Sequence, residues 1–475
     1  MRFSSTAEVR TYCEREGVKM IDFKVVDITG RLRHLTFPVS RFADEILHTG
    51  IGFDGSNYGY ASLENSDMVF VPDLETAMRE PYTETPTLSM LGNVLVIEQP
   101  HNRPFDQYPR NVARRAEEYL RQSGVADSIM LGPEFEVYIL DSVWYRASPE
   151  QVSYTVDSVQ GEWNSGCSGI NTITPHKGGY HLAPPQDATF DLRQRVSLLL
   201  EDHGVPVKYH HHEVGGPAQI EIELGFDTLS RVADHTLLVK YLMRNEAAAI
   251  GKSATFLPKP IQGEAGSGMH VHIQLFRQEQ PVFYDPEGYA GLSRTALHFI
   301  GGMLAHARSL CGLTNPSTNS YRRLVPGYEA PVIIGYASAN RSAVVRIPAY
   351  AKSPAQKRFE LRSLDATCNP YYAYSAILMA GLDGIAKQID PMQQGWGPYD
   401  CNLFDMSREE QAKLERLPRS LPEALQALEQ DHDYLTAGGV FPPELLQLWR
   451  ERKYAEAQAV EAYPHPAEMK FYYDL

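Results

Sequence analysis

Met130-Leu131-Gly132-Pro133-Glu134-Phe135-Glu136-Val137-Tyr138-Ile139-Leu140 is the stretch on which the fold turns. Its aromatic and β-branched residues read as a strand. Residues two apart in a strand point to one face. Glu134 and Glu136 therefore aim one way and Phe135 the other. The same spacing returns in Glu221-Ile222-Glu223, His270-Val271-His272 and Glu360-Leu361-Arg362, and Glu213 stands nearby in His210-His211-His212-Glu213-Val214. In each pair an apolar residue separates the polar ones, on what should be the core side.

Taken singly, each pair has an ordinary explanation. Alternating polar and apolar residues mark any half-exposed strand. His-x-His is more often a surface or satisfied core pair than a ligand set, and in His210-His211-His212 neighbouring rings point to opposite faces. Four such pairs in one chain favour convergence. Carboxylates with a single imidazole per ion suit hard divalent cations such as Mg²⁺ or Mn²⁺ better than zinc.

A second group is basic. Tyr321-Arg322-Arg323-Leu324-Val325-Pro326-Gly327-Tyr328-Glu329 joins arginines to a loop ending in an acid; Arg341, Arg346, Lys357, Arg358 and Arg362 follow. Each alone reads as surface arginine. Clustered beside carboxylate pairs, they could clamp phosphate or a substrate carboxylate.

The 475-residue chain carries a formal net charge of −15. That balance makes nucleic acid and anionic lipid poor partners. No apolar run approaches the roughly 18 residues of a membrane helix, and Met1-Arg2-Phe3-Ser4-Ser5 opens no secretory signal. The five cysteines are scattered and never form Cys-x-x-Cys, which points to a reducing cytoplasm rather than a disulfide framework.

Outward from the central strand, an N-terminal α+β module is expected to end near Pro104. Residues 5–16 read as a capped helix, with strands at Val18–Val26, Leu32–Val39 and Val94–Ile97. Helices are expected over Asn111–Gln122, Asp191–His203, Asp234–Ile250 and Leu292–Leu310, and from Leu421 onward behind Ser420. Further strands are expected at Ile220–Leu224, Met269–Phe276, Val332–Tyr336, Ala343–Ile347 and Phe359–Ser363. Asp141–Pro175, rich in Gly, Ser and Asn, reads as a long surface loop.

Together these segments resemble type I glutamine synthetase. The matching stretches are Phe53-Asp54-Gly55-Ser56, Gly132 to Glu136, Lys177-Gly178-Gly179-Tyr180, His210 to Val214, Gly266 to His272, Asn315 to Tyr321, Arg323 to Glu329, Asn340 to Ala343 and Arg358 to Arg362. The resemblance implies an α+β fold: an N-terminal β-grasp domain over 1–104 and a catalytic α/β domain over 105–475. It implies ligation of ammonia to glutamate with ATP, and a cytoplasmic dodecamer of two stacked hexamers with active sites between subunits. It places two or more Mg²⁺ or Mn²⁺ ions per site, one on Glu136, Glu213 and Glu221 and another on Glu134, His270 and Glu360. Arg323, Arg362, Gly266 and Tyr180 would meet substrate. Phe226, His272, Arg341, Arg346 and Arg358 would meet ATP. Asp54 from the adjacent subunit, Arg341 and the Glu329 flap would be catalytic.

Four positions depart from the pattern. Ala265 stands where Asn is usual, Asn57 where a second Ser is usual, and Ala355 where Lys is common. Phe404 replaces the tyrosine that regulated members adenylylate, so no adenylylation is expected there. Ala265 and Asn57 bear on the acceptor, and a γ-glutamyl-amine ligase using methylamine, ethanolamine or a polyamine is the alternative expectation.

Overall fold

The computed structural model describes residues 1–60, 66–98, 100–164, 172–325, 330–340, 342–400, 406–407, 409 and 413–475. The expectations placed on Glu329, Arg341 and Phe404 lie outside them.

Helix α1 (Thr6–Glu16) starts at Ser5, whose hydroxyl accepts from the Glu8 amide, and stops at Gly17 with φ of 65°. Strands β1 (Met20–Val26), β2 (Leu32–Pro38), β3 (Ile51–Asp54), β4 (Asp67–Pro72) and β5 (Thr87–Val96) follow. With two short strands on β5 they form a seven-stranded sheet of order β2-β1-β5-β4-β3. The β1–β5 pair is parallel. Buried Phe23, Val25, Phe70 and Met90 fill its core. Strand β3 is an edge, and Asp54 ends it.

Helix α2 (Pro109–Ser123) leads into β6 (Ser128–Leu140), the expected central strand. After it come α3 (Phe190–Asp202), β7 (Val207–His212), β8 (Gln219–Leu224), α4 (Leu229–Ala249) and β9 (Met269–Arg277). Helices α5 (Arg294–Ala305) and α6 (Ala307–Thr314) precede β10 (Ile333–Ser338), β11 (Ala343–Ile347) and β12 (Phe359–Leu361). The second sheet has ten strands, with path β7-β8-β6-β9-β12-β11-β10. Helices α2, α4 and α7 (Pro370–Lys387) pack behind it. Phe135, Ile222, Val271 and Leu361, the residues between the polar pairs, are all buried on that side. Helices α8 (Leu421–Gln430) and α9 (Pro443–Glu461) close the chain, before a short terminal helix Pro466–Tyr472.

Three expectations need correction. Helix α4 starts at Leu229, ahead of Asp234. The helix expected over Leu292–Leu310 breaks at His306, which sits at φ −95° and ψ 8°. Both ring nitrogens of His306 are held by distant carboxylates, Asp431 at 2.9 Å and Asp383 at 2.8 Å, and such tertiary pull overrides local periodicity. Asp141–Pro175 is no plain loop, because Ser142–Ser148 and Gln151–Asp157 pair as a hairpin with Tyr145 opposite Tyr154. Polar flanks disguised two strands whose aromatic and β-branched residues suit a pleat.

Candidate active site

Strand register builds the site. Glu136 on β6 lies opposite Glu221 on β8, and Glu134 lies opposite Glu223. On the other flank Glu134 lies opposite His270 of β9, and Gly132 opposite His272. Next out, His272 pairs with Glu360 of β12, and Glu360 with Arg346 of β11. Directly opposed residues in antiparallel strands project side by side, so pairs far apart in sequence become rows on one face. Gly132 leaves a gap in this face: a Cβ there would stand 3.3 Å from the Phe226 ring. Glu213 joins from the end of β7. It lies so close to the Tyr180 segment that a Cβ on Gly179 would come within 2.3 Å of the Glu213 carbonyl oxygen.

The five acids and one imidazole singled out above meet as two trios. Ligand atoms of Glu136, Glu213 and Glu221 lie within 4.8 Å of one another, as do those of Glu134, His270 and Glu360. All six residues are buried. His270 links the trios, with Nδ1 3.2 Å from Glu134 and Nε2 3.8 Å from Glu136.

The trios differ in charge balance. Burial works to raise the Glu134 carboxyl, but hydrogen bonds from His270 and His272 outweigh it and hold it well below the usual range. Burial also opposes ionisation of Glu360, yet the Arg362 charge, with the two histidines, holds it at about 2. Arg346 donates to Glu360 at 2.8 Å, and Arg362 donates to its other oxygen. Glu221 behaves oppositely. Burial pushes it up, and repulsion from Glu134 and Glu136 adds to that, against a hydrogen bond with His211. Buried carboxylates crowded together in this way are stabilised by a cation among them. An all-oxygen trio beside a trio with one imidazole fits hard divalent ions.

A cavity of about 270 Å³ opens onto this face and is lined in part by Glu134, Glu136, Tyr180, Gly266, Arg323 and Arg362. The arginine side is only partly satisfied. Among the described residues, the buried Nε–H groups of Arg346, Arg358 and Arg362 have no partner, donors suited to an anion. Arg358 lies over the rings of Tyr350 and Phe226, at 5.3 and 5.7 Å. Arg323 donates its terminal nitrogens to the carbonyls of Arg362, Ser363 and Leu364, and so anchors the segment that carries Arg362. A Cβ on Gly266 would meet the Arg323 side chain at 2.7 Å.

Asp54 is not on the lining of this cavity. It stands exposed at the sheet edge, accepting from the Ser56 amide and hydroxyl at 2.9 and 2.7 Å and from Asn57 at 2.7 Å. The Ser56 bonds lower its carboxyl. Ala265, by contrast, is integrated: its carbonyl accepts from the Tyr138 hydroxyl at 2.7 Å.

Sequence reading missed several cavity residues. Lys208, Tyr209 and Tyr350 line it and no motif flagged them, while His211 lines it from within the His210–Val214 stretch without having been given a role. Glu223 forms a third convergence with Glu134 and His272, but the Lys208 ammonium already sits on its carboxylate. The Glu-x-Glu spacing of Glu221 and Glu223 was the one available signal.

Comparison with known proteins agrees with this architecture. Residues 17–97 match the family described as glutamine synthetase, beta-Grasp domain, and residues 106–472 match glutamine synthetase, catalytic domain. A protein of Frankia alni named glutamine synthetase is 43% identical over 480 residues, covering 100% of both chains. The cryo-EM structure of Plasmodium falciparum glutamine synthetase superposes with a TM-score of 0.88 at 25% identity, covering 100% of this chain and 99% of that one. A GmaS/ADP complex superposes with a TM-score of 0.80 at 26% identity, covering 98% of this chain and 99% of that one. The chain belongs to the glutamine synthetase family.

Proposed function

We propose that this chain makes glutamine: it joins ammonia to the γ-carboxylate of L-glutamate through γ-glutamyl phosphate, converting ATP to ADP and phosphate. The observation that carries this is the meeting of two ligand trios on one sheet face beside arginines with unused buried donors. Glu136, Glu213 and Glu221 would hold one Mg²⁺ or Mn²⁺, and Glu134, His270 and Glu360 another. When bound, the ions neutralise phosphate and carboxylate charge during phosphoryl transfer.

The chain's own groups do the rest. Arg362, anchored through Arg323, receives the glutamate carboxylate, and Gly266 lets the backbone approach it closely. Arg346 and Arg358 offer N–H donors to phosphate oxygens, and Arg341 is assigned to the same task. Phe226, His272 and the Arg358 stack form the nucleotide wall. The glutamate γ-carboxylate attacks the ATP γ-phosphorus, and ADP leaves. Ammonium has no lone pair, so Asp54 takes one of its protons. Free ammonia then attacks the acyl carbon and phosphate departs. Tyr180 borders that subsite, and closure of Glu329 over it keeps out water that would hydrolyse the acyl phosphate.

A single copy leaves Asp54 exposed and off its own cavity, which supports delivery of Asp54 by a neighbouring copy. Exposed Trp144, Tyr145 and Tyr154 on the hairpin and Phe471, Tyr472 and Tyr473 at the C-terminus suit contacts between copies. We assign a homo-oligomer, a dodecamer of two stacked hexamers, with a β-grasp domain over 1–104 and a catalytic domain over 105–475. Buried free Cys13, Cys311 and Cys368 suit a cytoplasmic setting, and no helix among the described residues is long and apolar enough to cross a membrane.

The amine-ligase alternative is not favoured: relatives named glutamine synthetase match over the full chain at 43% identity. ADP release with glutamate and Mg²⁺, run with ammonia against methylamine, ethanolamine and a polyamine, tests the choice. Turnover with ammonia is expected, and turnover with an amine alone would replace this reading. Asp54→Ala should still form acyl phosphate but transfer it slowly to ammonia. Normal glutamine output from that variant removes Asp54 from the mechanism.

A further inference from the structure

A cavity with largely apolar walls lies away from the catalytic face. It holds about 520 Å³ and shares no lining residue with the catalytic cavity. One wall is helix α4, through Ser230, Asp234, Leu237, Leu238 and Tyr241. Their spacing places them on one side of the helix, while Val232, Ala233, Thr236 and Met243 are buried on the other. The N-terminal sheet supplies Met90 and Leu91, and the turn after α3 supplies Val205. A pocket of this volume between the N-terminal sheet and helices has the size of small-molecule sites.

Charge on the lining is unevenly used. Asp234 is occupied by Arg110, at 3.0 and 2.8 Å, and by the Tyr371 hydroxyl. One Asp73 oxygen is shared by Arg110 at 3.1 Å and Arg114 at 3.2 Å. Glu201 accepts from the Val207 amide at 2.6 Å. The remaining acids, Glu75 and Asp202, are exposed to solvent. On the cationic side, Arg114 and Arg2 are themselves solvent-exposed at the cavity's rim; Arg114 has only that shared oxygen, and the side chains of Arg2 and His235 make no hydrogen bond or ion pair to the described residues. Arg231 is held only through Asp227, at 3.0 Å. Arg114 feels both burial and the neighbouring Arg110 charge, which lower its proton affinity. An anion beside it relieves that repulsion.

We propose that this cavity is a second ligand site, separate from the catalytic one, for a small amphipathic anion: a carboxylate or phosphate carried on an apolar, ring-sized body. The head group meets Arg114, Arg2 and Arg231, and the body rests on Leu91, Leu237, Leu238 and Tyr241.

The test uses the full chain and a fluorescent probe, 1-anilinonaphthalene-8-sulfonate, which pairs an apolar double ring with a sulfonate. Saturable binding of one probe per chain is expected, unaffected by saturating Mg²⁺ and ATP. Either 3-phenylpropionate or phenyl phosphate should displace it, and the stronger competitor identifies the preferred head group. Leu238→Trp fills the apolar end and should weaken the probe by about tenfold or more. Arg114→Ala should weaken it by about fivefold, and decides alone should the tryptophan variant not fold. Ammonia-dependent turnover of both variants without probe should be unchanged. Four results overturn the proposal: no saturable binding, loss of binding on adding ATP, equal affinity in both variants, or binding that falls as copies associate. The last would mean that a second copy of the chain covers the cavity.

Discussion

Two clusters in this protein bring distant carboxylates together and do opposite things with them. On the sheet face, Glu136, Glu213 and Glu221 turn oxygens toward one another within 4.8 Å, and burial and mutual repulsion push the Glu221 carboxyl up. Between the helices, Asp383 and Asp431 each take a different nitrogen of His306, at 2.8 and 2.9 Å. Ser309 adds a bond to Asp431 at 2.9 Å, and Tyr434 stacks on the ring at 3.9 Å. The first cluster leaves its carboxylates repelling one another, an arrangement that a cation would stabilise. The second is complete in itself and fastens α5 and α6 to α7 and the segment after α8. Direction separates a candidate metal centre from a clamp: carboxylate oxygens converge in one and diverge around a ring in the other.

Substitutions should pull the two apart. The largest effect is expected from Glu221→Ala. Glutamine formation should fall by at least about a hundredfold, since a metal ligand supplies several kcal/mol to phosphoryl transfer. Thermal stability without divalent ions should hold or rise, because a repelling carboxylate is gone. A marked fall in that stability would show the trio to be structural. His306→Ala should do the reverse. Removing a partly solvated ion pair and its bonds should cost about 1–2 kcal/mol, read as a lower melting temperature, with glutamine formation kept within about threefold. Loss of activity at unchanged stability would break the contrast.

A smaller effect follows from pH. Burial works to lower His306, but its bonds to Asp431 and Asp383 outweigh this and raise it above the ordinary imidazole value. The folded state therefore holds a proton that the unfolded state releases first. The clamp's contribution is full below about pH 6.5, the unfolded imidazole value, and fades as pH rises through the folded value. Thermal melts across that window should show a decline that His306→Ala flattens. An identical slope in the variant would assign the decline elsewhere.

Much of the site was legible because strands advertise their faces. Phe135, Val271, Ile222 and Leu361 betrayed the buried side, so Glu134, Glu136, His270, Glu221 and Glu360 could be placed on the other. Register was not legible. Nothing local says that Glu134 sits between Glu223 and His270, or that Glu360 faces Arg346, because which strands pair, and in which register, is set by the tertiary fold. For the same reason nothing in the sequence pairs Lys208 with Glu223 on the neighbouring strand. The break at His306 was hidden in a sequence with good helical periodicity, since its cause lies in Asp383 and Asp431. The hairpin at 142–157 was hidden by polar flanks. The glycine ends were legible: Gly124, Gly204 and Gly251, just past expected helices, all adopt positive φ, the backbone state that glycine tolerates best.

Counting bound Mn²⁺ by titration tests the central claim most directly. The native chain should bind at least two ions, Glu221→Ala should lose one of them, and Glu360→Ala should lose a different one while keeping the first. Equal ion counts in all three proteins would contradict the assignment of these trios.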